Sequence, residues 1–202
     1  MESLRLVPDR TSTLTNLAAT QIKLKKYSEA KQCSEKSMEL EEDNPETFMN
    51  LGLIANESND YDLALDYFNR AVLLNPDQNL AWLNKGATLN ELKRYDEALA
   101  SYDKALCLDK NNHEVWSNRG ITLHELKRYD EALASYDKAI EINPDYAEAW
   151  SNRGITLHEL KRYDEALASY DKALCLDKNN HEVWSNRGIT LHELKRYDEA
   201  LA

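Results

Sequence analysis

The chain has 202 residues, with 25 lysines and arginines against 36 aspartates and glutamates, a formal net charge of −11. This acidic balance disfavours non-specific attraction to the phosphates of nucleic acid. The sequence has no apolar run long enough for a membrane span or a signal sequence, and its three cysteines form no CxxC pair. We therefore expect a cytoplasmic protein that binds neither nucleic acid nor a membrane.

The sequence repeats with a period of 34 residues. The stretch WSNRGITLHELKRYDEALA occurs unchanged at residues 116–134, 150–168 and 184–202. Both ends of the chain fall inside a unit without a polar capping helix, so we expect a segment of a longer array that associates end to end. In chain order the predicted organisation is the tail of a preceding unit at 1–10, complete units at 11–44, 45–78, 79–112, 113–146 and 147–180, and a truncated sixth unit at 181–202.

Each unit predicts two amphipathic helices. In the fourth complete unit, Trp116, Gly120 and Leu123 recur at steps of three and four, and a second series begins at Tyr129. Asp130, in the KRYD link between the two series, is the predicted N-cap of the second helix. Asn-Pro and Asn-Asn pairs separate the units. One hairpin cannot bury both of its faces, so neighbouring hairpins must stack.

Small residues recur where the two helices of a hairpin are expected to cross. Glycine inside a helix costs about 1 kcal/mol relative to alanine, so a close approach is the expected reason for keeping it. The glycines on the first helix are Gly52, Gly86, Gly120, Gly154 and Gly188.

The spacing of aromatic and small residues resembles the tetratricopeptide repeat. In residues 79–112 the matching positions hold Trp82, Gly86, Tyr95, Ala98, Tyr102 and Ala105. The resemblance implies an all-α fold, a right-handed α-solenoid of 34-residue helix-turn-helix repeats whose first helices line a concave groove. The chain departs from the family where leucine is usual three residues after the Trp position. There we expect basic side chains to pack their stems and extend their charges to water, at Lys85, Arg119, Arg153 and Arg187.

The sequence contains no Gly-rich phosphate loop, nucleophile motif or metal-ligand spacing, so we predict a non-enzyme without a cofactor. Three histidines, His124, His158 and His192, share one place in the repeat. Equivalent side chains on adjacent repeats should lie about 8–10 Å apart, whereas metal ligands lie about 2 Å from the ion. We therefore expect these histidines to make polar contacts, with a peptide among the candidates, and not to bind a metal.

Asparagine fills one place on the first helix of every unit, two residues after the Trp position. A cap or turn role is the structural alternative, but a helix-interior asparagine has no capping to do. An amide offers both donors and an acceptor, so a row of amides can pair with the main chain of an extended peptide. The row resembles the asparagine ladder of O-GlcNAc transferases and SPINDLY-like proteins. Its members are Asn16, Asn50, Asn84, Asn118, Asn152 and Asn186.

The same groove is predicted to be acidic and rich in hydrogen-bonding groups, which favours basic peptides. It lacks the row of Lys and Arg that the family's carboxylate clamp needs, since Lys23 stands alone. Besides the asparagines and histidines, its predicted residues are Glu114, Glu148, Glu182, Ser117, Ser151, Ser185, Ile121, Ile155 and Ile189.

The leading hypothesis is a non-catalytic scaffold that binds an extended peptide through the asparagine ladder. Two alternatives stay open: the substrate-recruiting region of a larger O-GlcNAc-transferase-like glycosyltransferase, and a protein that mainly assembles with itself end to end. The repeat does not separate them, because the same fold serves adaptors and enzymes.

Overall fold

A computed structural model of the protein describes residues 10–196 and Asp198, and all regular secondary structure in this part of the chain is helical. The predicted tail of a preceding unit and the end of the sixth unit lie outside the described residues. The helices are α1 (Arg10–Lys23), α2 (Tyr27–Leu40), α3 (Pro45–Glu57), α4 (Tyr61–Leu74), α5 (Asn79–Glu91), α6 (Tyr95–Leu108), α7 (His113–Glu125), α8 (Tyr129–Ile142), α9 (Ala147–Glu159), α10 (Tyr163–Leu176) and α11 (His181–Glu193).

The helices form two compact structural units, each larger than a single 34-residue repeat. The first unit ends at Leu108 and the second unit begins at Asp109. Within each unit the helices pair as antiparallel hairpins, α1 with α2, α3 with α4 and α5 with α6 in the first, and α7 with α8 and α9 with α10 in the second. Each second helix also packs on the first helix of the next hairpin in its unit. Each unit is therefore a stack in which a hairpin contacts only its neighbours.

Helices α3, α7 and α11 each begin after a capping asparagine. The side-chain oxygens of Asn44, Asn112 and Asn180 accept hydrogen bonds from the main-chain N–H groups of the residues three positions later. Such caps satisfy an N–H group that has no partner inside the helix. These three asparagines, which the sequence identifies only as turn residues, are thus helix caps.

The turn inside each hairpin contains a residue in the left-handed conformation, and in most hairpins it is a lysine. Lys127 has a φ of 58°, its N–H donates to the carbonyl of His124, and the N–H of Arg128 donates to the carbonyl of Leu123. These bonds end α7 as a glycine at this place would. The equivalent residue in the second hairpin is Asn59, also with a φ of 58°.

The predicted N-cap at Asp130 is wrong. Helix α8 begins at Tyr129, its N-cap position is Arg128, and no side chain caps it. An N-cap at Asp130 would start the helix at Glu131, whereas α8 starts at Tyr129, two residues earlier. The left-handed backbone of Lys127 reverses the chain so tightly that α8 begins only two residues after it. Asp130 lies in the first turn, where its carboxylate still interacts favourably with the helix dipole.

The glycines of the first helices make room for an aromatic ring of the second helix. A Cβ built on Gly120 would lie 2.5 Å from Cε1 of Tyr136, and the same distance separates a Cβ on Gly154 from Tyr170. Both tyrosines are 1% exposed. The predicted close approach is therefore real, but it is made by a buried ring instead of the backbone of the second helix.

The basic residues in the usual leucine place are structural, as the sequence predicts. The guanidinium of Arg153 donates to the carboxylate of Asp137 at 2.7 Å and to the hydroxyl of Ser169 at 2.7 Å. Asp137 lies on α8 and Ser169 on α10, so Arg153 links two neighbouring hairpins. Its charge is paired with protein groups and does not extend freely into water.

Candidate functional site

In the second unit, the first helix of each hairpin carries the same stripe of four residues. Along α7, Glu114, Asn118, Ile121 and Glu125 are spaced by four, three and four positions, which places them on one side of the helix. Helix α9 contacts both α7 and α11, so three such stripes lie side by side. We call them the ladder face: Glu114, Asn118, Ile121 and Glu125 on α7, Glu148, Asn152, Ile155 and Glu159 on α9, and Glu182, Asn186, Ile189 and Glu193 on α11.

The three amides of the ladder face are half-buried and are not used within the fold. Among the described residues, the side chains of Asn118, Asn152 and Asn186 make no hydrogen bond. Only their main-chain carbonyls are engaged, each accepting from a threonine hydroxyl one turn later, at 3.0, 2.9 and 2.8 Å. A half-buried amide without an internal partner must be satisfied by water or by a ligand.

The equivalent asparagines of the first unit are placed differently. Asn50 is 5% exposed, and its amide donates to the carbonyl of Thr15 on α1 at 3.0 Å. The amide of Asn84 donates to the carbonyl of Leu80 on its own helix at 2.7 Å. Asn16 is exposed. In the first unit, therefore, one member of the predicted ladder is a buried structural residue, and the row does not present three equivalent free amides.

Two equivalent cavities open between neighbouring stripes. One, of about 180 Å³, lies between α7 and α9, and the other, of about 200 Å³, lies between α9 and α11. Both are smaller than the roughly 300–1,000 Å³ of sites for drug-sized ligands, so each can take one side chain but not a cofactor. The first is lined by Ile121, His124, Glu125, Tyr136, Asn152 and Ile155, and the second by Ile155, His158, Glu159, Tyr170, Asn186 and Ile189.

The histidines that line the cavities also tie neighbouring hairpins together. Nδ1 of His124 lies 2.9 Å from the hydroxyl of Thr156. That hydroxyl has a single hydrogen, which it donates to the carbonyl of Asn152 at 2.9 Å, so Nδ1 of His124 must be the donor in the first contact. The other ring nitrogen, Nε2, has no hydrogen-bond partner among the described residues.

His158 repeats this arrangement with Thr190 at 2.9 Å. His192, on α11, is exposed. The predicted polar role of the histidines thus includes a structural hydrogen bond that the sequence did not indicate.

A buried tyrosine lines each cavity, and this residue was missed in the sequence because the repeat pattern assigns it to the core. Tyr136 and Tyr170 are both 1% exposed. Burial raises the pKa of each phenol well above its ordinary value, so both rings stay neutral. The available signal is the change from Phe68 in the second hairpin to tyrosine in later ones, since a buried tyrosine keeps a polar group at one end.

The predicted groove serines are not all displayed. Ser117 is 0% exposed and Ser151 is 9% exposed, whereas Ser185 is exposed. Ser117 precedes Gly120 by three positions and so shares the side of α7 that faces α8, which is why it is buried. This placement corrects the prediction for Ser117 and Ser151, which cannot contact a ligand in the groove.

The ladder face is acidic. Glu114, Glu148 and Glu182 are exposed, and Glu148 accepts a hydrogen bond from the Tyr146 hydroxyl at 2.9 Å. Each of α7, α9 and α11 has two glutamates and one arginine. The arginines do not neutralise the face, because Arg153, for example, is engaged with α8 and α10.

In the part of the chain that the structure describes, no group of three or more His, Cys, Asp or Glu residues is placed to hold a metal ion. Nor is any described helix both long enough and apolar enough to cross a membrane.

Sequence models of the tetratricopeptide repeat match most of the chain. The matches fall at residues 11–44, 49–115, 101–134, 122–161, 147–180 and 169–202, and together they cover residues 11–44 and 49–202. A comparison with curated proteins gave no match.

Three solved structures have a similar fold. PilW, described as a widely conserved type IV pilus biogenesis factor, has a TM-score of 0.88 at 19% identity, covering 95% of this chain and 89% of its own. The pilF protein of Pseudomonas aeruginosa has a TM-score of 0.85 at 18% identity, covering 95% and 87%. YrrB, described as a TPR protein with an unusual peptide-binding site, has a TM-score of 0.70 at 23% identity, covering 90% of both chains.

These likenesses concern the fold alone. They confirm the predicted fold class, an α-solenoid of helix-turn-helix repeats. The finer resemblance to O-GlcNAc transferases and SPINDLY-like proteins stays a prediction.

Proposed function

Since the chain belongs to the tetratricopeptide repeat family, we propose that it is a non-catalytic scaffold that binds a protein partner and that its ladder face grips an extended peptide. The observation that carries this proposal is the row of half-buried amides of Asn118, Asn152 and Asn186, which have no partner among the described residues.

The chemistry of the amide suits an extended main chain. Every residue of such a peptide offers one N–H donor and one carbonyl acceptor, which are unpaired unless a partner supplies hydrogen bonds. A side-chain amide can supply both kinds of bond, whatever the peptide's side chains are. Repetition on adjacent helices matches a ligand whose own hydrogen-bonding groups repeat.

The charge of the face supports a basic partner. Each of the three stripes of the ladder face, on α7, α9 and α11, begins and ends with a glutamate and contains no lysine or arginine. Charge complementarity of this kind raises association rates and excludes acidic partners. The same surface would serve equally in an adaptor or in the substrate-recruiting part of a larger glycosyltransferase, and end-to-end self-association stays a separate prediction.

The test is a fluorescence-anisotropy scan of extended peptides against the protein and the triple variant N118A/N152A/N186A. Each hydrogen bond to a side-chain amide contributes about 0.5–1.5 kcal/mol, so losing three should weaken binding at least about tenfold. The helical circular dichroism should not fall, because alanine favours the helix more than asparagine. A matched control replaces two exposed loop asparagines, N111A/N179A, and should bind like the parent. Equal peptide affinity of the triple variant and the control would contradict the proposal.

A further inference from the structure

The two cavities on the ladder face indicate which peptide it binds. We infer that each cavity takes the side chain of one lysine or arginine from a peptide in the polyproline II conformation, with a basic residue at every third position. This inference rests on the proposed function, since it specifies the ligand of the same face.

The lining of each cavity fits a cationic head group. Each cavity is lined by one carboxylate, Glu125 in the first and Glu159 in the second, and by no lysine or arginine. Among the described residues, neither glutamate forms an ion pair. Asn152 also lines the first cavity, and the oxygen of its amide is a neutral acceptor. An ammonium or guanidinium group has only donors, three or five of them, so it can use all of these acceptors at once.

The apolar part of the lining fits the stem of the same side chain. The first cavity lies between Ile121 and Ile155 and is also lined by Tyr136. Lysine and arginine bury their methylene stems against such surfaces while the charged end stays among polar groups.

The spacing of the cavities selects the conformation of the peptide. Packed helices lie about 8–10 Å apart, and the two cavities are related by one repeat on contacting first helices. In a polyproline II peptide, residues three apart point the same way and are about 9.3 Å apart, at about 3.1 Å per residue. In a β-strand the same-side spacing is about 6.7 Å for two residues or about 13 Å for four, and neither fits.

The same conformation suits the amides. A polyproline II main chain has no internal hydrogen bonds, so its free N–H and carbonyl groups are available to Asn118, Asn152 and Asn186. One peptide can therefore contact the amides with its main chain and fill the cavities with every third side chain.

The first unit does not offer the same chemistry. In its second hairpin, Asn56 stands in the place of His124 and bonds to Thr88 at 3.0 Å. Glu57, in the place of Glu125, accepts a hydrogen bond from the hydroxyl of Tyr27 at 2.7 Å. Because this carboxylate is already engaged within the fold, we assign the cation sites to the second unit.

The experiment compares fluorescein-labelled thirteen-residue peptides of proline, alanine and four arginines, with the arginines at every second, third or fourth position. A fourth peptide carries glutamine at every third position. The full chain should bind the every-third arginine peptide at least about tenfold more tightly than any of the others in anisotropy titrations.

The matched protein variants are E125Q/E159Q, which removes the charge of both cavities, and D130N/D145N, which removes two exposed charges outside the ladder face. The first should bind the every-third arginine peptide no more tightly than the glutamine peptide. The second should bind like the parent.

The remaining outcomes contradict either this inference alone or the proposed function as well. Equal affinity for the three arginine spacings, or unchanged binding by E125Q/E159Q, overturns this inference, and the proposed function still stands if N118A/N152A/N186A weakens all the peptides. If none of the peptides binds the parent chain, this inference fails, and the broader scan of extended peptides decides separately whether the proposed function fails with it.

Discussion

The same repeat position has opposite roles in the two units of this protein. Asn50 in the first unit is 5% exposed and holds the carbonyl of Thr15 on the neighbouring hairpin. Asn152 in the second unit is half-buried and its amide has no partner among the described residues. The comparison teaches that a residue that recurs with the repeat does not have to recur in function, because the surroundings supplied by the neighbouring hairpin decide what it binds.

A second difference lies between the hairpins α3–α4 and α9–α10. Leu51 in α3 is 3% exposed and lines a cavity with Leu63 and Tyr67. The equivalent residue in α9 is Arg153, which binds Asp137 and Ser169. One hairpin thus joins its neighbours through apolar packing, and the other joins them through charge-assisted hydrogen bonds.

The largest effect is expected from moving the arginine into the apolar hairpin. L51R should lower the free energy of unfolding by about 2–3 kcal/mol, because it introduces a charge at a buried site. The arginine would also lack the partner that Arg153 has in Ser169, since the equivalent residue in this hairpin is Tyr67. Urea denaturation of L51R and of the double variant L51R/Y67S measures the effect. The double variant should recover part of the loss, and a single L51R as stable as the parent would break the comparison.

Glycine substitutions test what the two units share. A Cβ on Gly52 would lie 2.5 Å from Phe68, the distance found between Gly120 and Tyr136. Overpacking costs about 1–3 kcal/mol and alanine returns about 1 kcal/mol of helix propensity, so G52A and G120A should each lose up to about 2 kcal/mol.

The matched control is G188A, where no described atom lies within 4 Å of the added Cβ. It should gain up to about 1 kcal/mol from helix propensity alone. Thermal unfolding of the three variants gives the signs, and a stabilised G120A would show that the ring yields to the extra methyl group.

The asparagine comparison predicts a smaller effect. N50A should lower the free energy of unfolding by about 1 kcal/mol, because it removes a buried hydrogen bond. N152A should leave stability unchanged or raise it by a few tenths of a kcal/mol, because it removes no internal bond and alanine favours the helix. Chemical denaturation of both variants decides, and equal losses would mean that Asn152 has a structural role after all.

The smallest effect is expected at the hairpin turns, where Asn59 and Lys127 have the same left-handed backbone. Asparagine tolerates this conformation better than lysine, so K127N should raise the free energy of unfolding by about 0.5 kcal/mol. The reverse change, N59K, should lower the free energy of unfolding. It has a second cost, because the Tyr61 hydroxyl loses its hydrogen bond to the side chain of Asn59. A loss of stability in K127N would show that the lysine side chain has another role.

The sequence predicts much of the fold because its signals are local. Apolar residues at steps of three and four around Trp116 and Tyr129 predict the two helices of a hairpin, and the 34-residue period predicts their stacking. The signal failed at Asp130, since Lys127 stops the preceding helix without a glycine and α8 starts two residues early. A lysine in the left-handed region has no recognisable pattern in a single sequence.

The candidate site was predictable as a set of residue types and not as a set of contacts. The asparagines, isoleucines and histidines of the second unit were all expected in one groove, and the cavities do bring members of each type together. Ser117 was misplaced because its helix turns it towards Gly120 and the second helix. Tyr136 was assigned only to the core because its repeat position is normally apolar.

The sequence by itself determined the period, the hairpins and the position of the asparagine row, because these depend on spacing along one helix. The tertiary structure decided which amides are free, which carboxylates are engaged and which nitrogen of His124 donates a proton. Those outcomes depend on the atoms that the next hairpin places against each side chain, as Thr15 meets Asn50 and Thr156 meets His124. Where the neighbouring hairpin repeats as well, the contact repeats, as His158 with Thr190 repeats His124 with Thr156.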